Sequence, residues 1–541
     1  MKLNSFIPFC LFFGLFFSVK AQTPFSSRVL LIPLDDRPPC LQFPVRMGLI
    51  NDVELVSPPK ELLGWFTDPG KTEEIGKWID KQDLKTFDAA IISVDMLAYG
   101  GLVASRRYGT TEKEALEKMR IIEKIRRKAP QMKIYGSSVI MRLAPTGDQK
   151  NEAYRQKLAN WAEIADDEKE LTQKNMLEKE IPAEALENYK KARERDLAIN
   201  KLSIDLAEKR VFDYLILSQD DAKPRGVHVK DRETLAKIIA EKKLSERIAL
   251  QPGADEVSML LLAHAMSDKY AYHPKIKAIY SSEAAGDKVM PFEDKPLRKT
   301  VSFHIRAVGA REVEDEKEAE ILFYVFASRP DEALTKRFAE KIIASHQLNS
   351  HSQPKGIIIA DVDPKGDVQG GDINFTEMLK KEHVFSDILG YACWNTAGNT
   401  IGTALPHGFL SGVAQKRINV SGKKGKALSQ EILNRMGYSQ TWFMLNRLLD
   451  DYTYHSVIRP KAQGIIRKNG WNSLRLSKDQ TSFIEDYCFK ALQPVASDVA
   501  ENYFSPASGK QCTLSDLYFD LPWERAFEAE VDFKLNIRKN K

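Results

Sequence analysis

The chain has 541 residues, 43% of them hydrophobic and 29% charged, with a formal net charge of +5. That length exceeds one ordinary domain and that composition supports a sizeable core, so two domains, or one large domain with an appendage, are expected. No basic tail or arginine-rich stripe accompanies the small positive charge, so nucleic acid is not an expected partner, and no apolar run reaches the roughly 20 residues that span a bilayer.

The first residues, MKLNSFIPFCLFFGLFFSVKAQ, combine Lys2, an apolar run from Phe6 to Val19, and small residues at Val19 and Ala21. Residues 1–21 therefore read as a cleaved secretory signal, and the mature protein as exported, periplasmic or extracellular, and soluble without stable membrane insertion. Cys10 lacks the small-residue context of a lipoprotein cleavage site. Losing Lys2 and Lys20 takes the net charge from +5 to +3. Cys40, Cys393, Cys488 and Cys512 remain, too few and too far apart for a disulfide scaffold. Cys488 and Cys512 can pair in an oxidising compartment; buried free thiols are the other reading.

Beyond the leader one pattern repeats: a short apolar run rich in β-branched residues, a polar loop, then an amphipathic helix. Strands are expected at VLLIPL (29–34), the less apolar VELVS (53–57), AAIISV (89–94), IYGSSVIM (134–141), YLILS (214–218), RIALQ (247–251), KAIYS (277–281), ILFYVFA (321–327), GIIIA (356–360) and LGYACW (389–394). Helical patterns separate them, as at 111–128, 232–243 and 331–346. Continuous apolar runs, rather than alternation, mark strands covered on both faces, as in parallel sheets, so the class is α/β. About ten such units exceed an eight-stranded barrel. Tandem doubly wound, mostly parallel sheets are expected, with a β/α barrel carrying extra strands as the alternative.

Residues 22–245 read as a first α/β domain, interrupted over about 148–209 by a charged helical insertion, and 246–410 as a second α/β region. From 411 to 541 the pattern shifts to a mainly helical module rich in aromatics, ending LPWERAFEAEVDFKL. Nothing in the sequence marks an oligomeric state.

In parallel α/β folds ligands sit at the carboxyl ends of the strands. The first run delivers Asp35, Asp36 and Arg37 into a loop stiffened by Pro38 and Pro39. Asp95, Tyr99, the Gly100–Gly101 pair and Arg106 follow the run at 89–94; Arg142 ends the run at 134–141. Later ends carry Asp220 and Asp221, Asp255 and Glu256, Asp361 and Asp363, and then Trp394, Asn395 and Asn399. Any single Asp in such a loop serves equally as a cap or turn residue. Their shared position in the repeating unit is what points to one cleft.

The stretches PLDDRP (33–38), DMLAYGGLVASR (95–106) and WNTAGNTIG (394–402) resemble the signatures of an uncharacterised bacterial family, the domain of unknown function numbered 4127. Where a glutamate is common in that first motif, this chain has Asp36. The resemblance implies one coherent fold through most of the mature chain and implies no mechanism.

Three functions fit a cleft of this composition. Glycoside hydrolysis needs two carboxyl groups facing one another across a sugar ring. Asp36 and Asp95 are the leading pair, with Asp220 and Asp361 in reserve. Arg37, Arg106, Arg142 and Asn395 would orient the substrate; Tyr99 and Trp394 could stack on it; Asp35, Asp221, Asp255, Glu256 and Asn399 would bind it. No cofactor is needed. Metal-dependent hydrolysis is the alternative, with DVDPKGDVQGGD (361–372) and Asp220–Asp221 offering oxygen ligands to Mg²⁺ or Ca²⁺. The nine histidines show no zinc spacing, and no nucleophile elbow or P-loop is present. The third reading is a non-enzymatic glycan-binding protein.

Overall fold

The computed structural model describes residues 23–539 except 149, 350–354, 368 and 424–426, so the leader expected at 1–21 lies outside the described residues. Six parallel strands form the first sheet: β1 (Ser27–Ile32), β2 (Val53–Val56), β3 (Ala89–Ser93), β4 (Lys133–Ile140), β5 (Tyr214–Gln219) and β6 (Ile248–Pro252), in the order β2-β1-β3-β4-β5-β6. The second is also parallel: β7 (Lys275–Tyr280), β8 (Arg311–Glu312), β9 (Ile321–Phe326), β10 (Gly356–Asp361) and β11 (Gly390–Ala392), ordered β11-β10-β9-β7-β8. Neither sheet closes into a barrel. The first sheet takes in β6, beyond residue 245, and helix Ala397–Lys423 runs across residue 410.

The continuous apolar runs are explained by the two faces. Along β1, Val29 and Leu31 enter one core while Leu30 and Ile32 enter another, and all four are buried. Helix Val257–Tyr270 is apolar nearly all round, as a helix covered on every side must be. It packs on β3 and β4 and on helix Ala397–Lys423, which in turn covers β10 and β11. One continuous core therefore joins the two sheets.

Between β4 and β5 lies the helical insertion, helices Arg155–Ile164, Leu171–Glu180 and Ala183–Glu208, with its own small core around Leu158, Trp161, Leu177 and Tyr189. The C-terminal region is largely helical, including a wide π-helical stretch at Leu448–Ile458. It ends in an antiparallel ribbon, β12 (Lys510–Asp520) with β13 (Glu530–Lys539), which the sequence pattern did not announce. In β12 the register shifts between Ser515 and Tyr518 and breaks the alternation, whereas β13 alternates polar and apolar residues from Glu530 to Ile537, the pattern of a strand covered on one face, which a search for continuous apolar runs passes over.

Candidate active site

The strand order reverses around β1, whose neighbours are β2 on one side and β3 on the other. Such a reversal splays the following loops apart and opens a crevice at the strand ends. A cavity of about 300 Å³ lies there. Loops after the first sheet's strands supply Arg37, Arg106, Arg142, Asp220, Asp221 and Asp255. Loops of the second sheet supply Glu293, Gln369 and Asn395, the first turn of helix Ala397–Lys423 supplies Asn399, and the turn joining β12 to β13 adds Trp523, Arg525 and Phe527.

Buried ion pairs fix most of these groups. The Arg37 guanidinium lies 2.6 Å from Asp35, 2.7 Å from Asp255 and 2.7 Å from Glu528, and 4.6 Å over the Trp523 ring. Burial pushes the Asp255 carboxyl up against the pull of Arg37. Arg106 pairs with Asp220 at 2.6 Å and donates to the Thr146 hydroxyl at 2.9 Å. Arg142 pairs with Asp221 at 2.5 Å and donates to the Ala144 carbonyl at 2.8 Å.

Glu293 is different. It is buried without a cation; its Oε1 accepts the Gly398 N–H at 2.9 Å, and its Oε2 has no hydrogen-bond partner. Burial, with the negative charges of Glu256 and Asp221 adding to it, pushes this carboxyl up to about 8. Gly398 permits the approach: a Cβ there would sit 3.1 Å from Glu293 Oε1. The N-terminus of helix Ala397–Lys423 is therefore occupied by a side chain of the protein itself.

The cavity wall is also strained. Phe292, Gln369, Asn395 and Trp523 all line it with positive φ (65°, 52°, 59° and 62°), although none is glycine. Backbone of this kind costs of order 1–3 kcal/mol each and gathers at ligand sites.

The cavity collects eight of the residues expected at strand ends: Arg37, Arg106, Arg142, Asp220, Asp221, Asp255, Asn395 and Asn399. The others lie elsewhere. Asp36 is buried against the Trp523 indole, and burial together with the charge of Asp35 pushes it up to about 6. Asp95 falls in the first turn of helix Val94–Tyr99, which starts directly from β3, so its side chain turns back to accept the Val139 N–H at 3.0 Å. Burial and the charge of Asp196 hold that carboxyl well above the usual range. The expected Asp36–Asp95 pair thus does not face into the cavity.

Asp361 ends β10 in an ion pair with Arg329 and accepts the Asp372 N–H at 2.6 Å. Asp35 lies on Arg37, and Glu256 Oε2 accepts the Ala254 N–H at 3.1 Å. Neither proposed stacking residue meets the cavity. Tyr99 is buried under the Arg195 guanidinium at 4.1 Å, and Trp394 is buried with its indole donating to Thr403 Oγ1 at 2.9 Å. The Gly100–Gly101 pair makes a turn, with Gly100 at φ 94° against the backbone of Gly70.

Glu293, Gln369, Arg155, Trp523, Arg525 and Phe527 line the cavity without having been singled out. Glu293 lies in MPFEDKP, well past the end of β7, where a rule based on strand ends does not look. The aromatic and basic density of LPWERAF was the available signal for the other end of the chain.

Among the described residues, Asp35, Cys40 and Asp255 present ligand atoms within 4.8 Å of one another. A cation fits poorly there, because the Arg37 guanidinium already binds both carboxylates and burial pushes the Cys40 thiol well above its ordinary value. The oxygens of the 361–372 segment are likewise engaged: Asp363 accepts the Lys365 and Gln369 N–H groups, and Asp372 caps helix Ile373–Lys381.

Two doubly wound parallel sheets, sharing one core and opening their strand ends onto a cavity of guanidinium and carboxyl groups, define an α/β protein with one polar cavity where the two sheets meet. Residues 29–532 match the family described as protein of unknown function (DUF4127), and the chain belongs to that family. The match spans all three motifs that carried the resemblance and every cavity residue from Arg37 to Phe527. No curated protein and no solved structure matches the chain. Among the described residues, no helix is long and apolar enough to cross a membrane.

Proposed function

We propose that this protein is an exported glycoside hydrolase in which Glu293 is the general acid and Asp221 its ionised partner. The observation that carries the reading is Glu293, a buried carboxyl with an unpartnered oxygen that holds its proton at neutral pH inside a cavity of ion-paired carboxylates. Acid and base roles separate when the environments of two carboxyl groups drive their pKa values apart. Asp221 is one of the two charges that raise Glu293, which puts the pair within electrostatic reach; burial raises Asp221 as well, but unlike Glu293 it has a cation, Arg142, that opposes the rise and favours its charged form. Asp220, held by Arg106, and Asp255, held by Arg37, are the next candidates for the ionised role. Phe292 and Phe527 line the cavity wall as rings a sugar could meet, in place of Tyr99 and Trp394.

The test is release of reducing ends from a panel of glycans and aryl glycosides by the mature chain. Glu293→Gln and Asp221→Asn should each lower turnover by about 10²–10⁴-fold, whereas Asp95→Asn should leave it within a few fold. Binding without cleavage across the panel would make this a glycan-binding protein. Loss of activity to a chelator, restored by Mg²⁺ or Ca²⁺, would favour metal-dependent hydrolysis. Export is tested separately, by N-terminal sequencing of secreted protein for cleavage after Ala21.

A further inference from the structure

Five guanidinium groups line the cavity. Arg37, Arg106 and Arg142 are matched by carboxylates. Arg155 and Arg525 make no ion pair among the described residues. The Nε of Arg155 donates to the Pro145 carbonyl at 2.9 Å, which leaves its two terminal nitrogens for something else. Among the described residues the Arg525 side chain has no hydrogen-bond partner, and its Nε is buried. Only aromatic faces hold it: its guanidinium carbon lies 4.8 Å from the Phe66 and Trp523 ring centroids and 5.8 Å from that of Phe527.

The Nε of Arg525 is taken out of water with no acceptor or counter-ion in contact, which is costly, and ring faces return only part of that cost; Arg155 stays half-buried at the opening. The surroundings add to the cost. Burial brings Arg525 down to about 10; Glu528 and Asp35 support its charge, while Arg37 and Arg142 oppose it. Burial and the charge of Arg142 lower Arg155 too, and the same two causes act on Arg106. Arg106, Arg155 and Arg525 thus all feel the charge of Arg142, and all four line the same cavity. Like charges gathered this way, with forked donors unused, form an incomplete site, and an oxyanion completes it through bidentate charge-assisted hydrogen bonds.

We infer that Arg155 and Arg525, beside Arg142, seat an anionic substituent of the bound carbohydrate, so the substrate class is an acidic glycan bearing a carboxylate, sulfate or phosphate. The inference rests on the cavity being the carbohydrate site, and it extends that reading to residues with no part in bond cleavage.

Binding of matched monosaccharides that differ only in a uronate, sulfate, phosphate or neutral hydroxymethyl group is measured by calorimetry on the mature chain and on Glu293→Gln. At least one acidic sugar should bind about tenfold or more tighter than its neutral counterpart, with the preferred arm naming the anion, and the advantage should shrink with added salt. Arg155→Gln and Arg525→Gln should each reduce the preference to within about threefold, and Arg525→Lys, which keeps the charge but not the fork, should restore part of it. Thermal melts of every variant report folding, and losing Arg525, whose Nε is buried without a partner, is expected to leave the midpoint unchanged or raised. Equal affinity for acidic and neutral sugars, or a preference that survives both substitutions, overturns the inference. An acidic preference in binding with no cleavage of any acidic oligosaccharide or aryl glycoside would sink the hydrolase reading and leave the anion seat standing; neutral glycans bound equally and cleaved would do the reverse.

Discussion

The indole Nε1 of Trp523 donates a 2.7 Å hydrogen bond to Oδ1 of Asp36, joining residues 487 positions apart. The same turn sends Glu528 to Arg37, while β13 contributes Asp532 to Arg46 and Glu530 to Lys60. The β12–β13 ribbon therefore packs onto the loop that follows β1, and both contribute to the cavity wall.

This contact predicts a pH-dependent cost for Trp523→Phe. Phenylalanine keeps a ring under Arg37 but loses the donor, leaving a buried carboxylate oxygen unsatisfied at about 1–3 kcal/mol. The native Asp36 carboxyl, raised from 3.8 to about 6, holds a proton that the unfolded chain releases, so its contribution to stability falls as pH rises through that window. Without the indole the carboxyl rises further. Urea denaturation should show a larger deficit at pH 7.5 than at pH 5; equal deficits would mean that the bond does not stabilise the ionised form.

Arg37→Met should be the most damaging single change in the cavity wall. It strands Asp35, Asp255 and Glu528 together in the interior, and breaking a buried pair in this way costs about 3–5 kcal/mol. Because those carboxyls can then take up protons, the loss should lessen in acid. The check is the denaturation midpoint of wild type and variant at pH 5 and 7.5, and a deficit independent of pH would count against a charge-based origin.

If Glu293 is the acid, kcat/KM should decline as pH rises through about 8, since only the protonated carboxyl can donate. The acid limb should begin above the usual carboxylate range, because burial raises Asp221. Residual turnover of Glu293→Gln should lose the alkaline limb and keep the acid one. An unchanged alkaline limb in that variant would assign it to another group.

All four cysteines of the described chain are buried and free, and burial pushes Cys488 up to about 12 and Cys512 up to about 11. Thiol reagents should therefore leave the native protein unlabelled near neutral pH and modify Cys40, Cys393, Cys488 and Cys512 on unfolding without any reductant. Two thiols missing from that total would indicate the Cys488–Cys512 bridge.

All ten apolar runs became strands, each within two residues of the expected ends, because a strand buried on both faces needs apolar side chains at consecutive positions. Helix Glu112–Lys128 was equally legible, its start marked by the capping box of Thr111 and Glu114. The two-residue β8 and the ribbon were not, since neither buries enough continuous apolar surface to leave such a trace.

Local sequence determined which residues stand at the carboxyl ends of strands, and through that the polar character of one rim of each sheet. Tertiary structure alone decided which of them look into the cavity. Asp95 and Asp220 both follow strands closely, yet an immediate helical turn carries one back to the Val139 backbone while Arg106 holds the other at the opening. Only the folded chain could bring in Glu293, Arg155 and Arg525, because the direction of a loop side chain is set by backbone angles and partners that contacts across hundreds of residues impose.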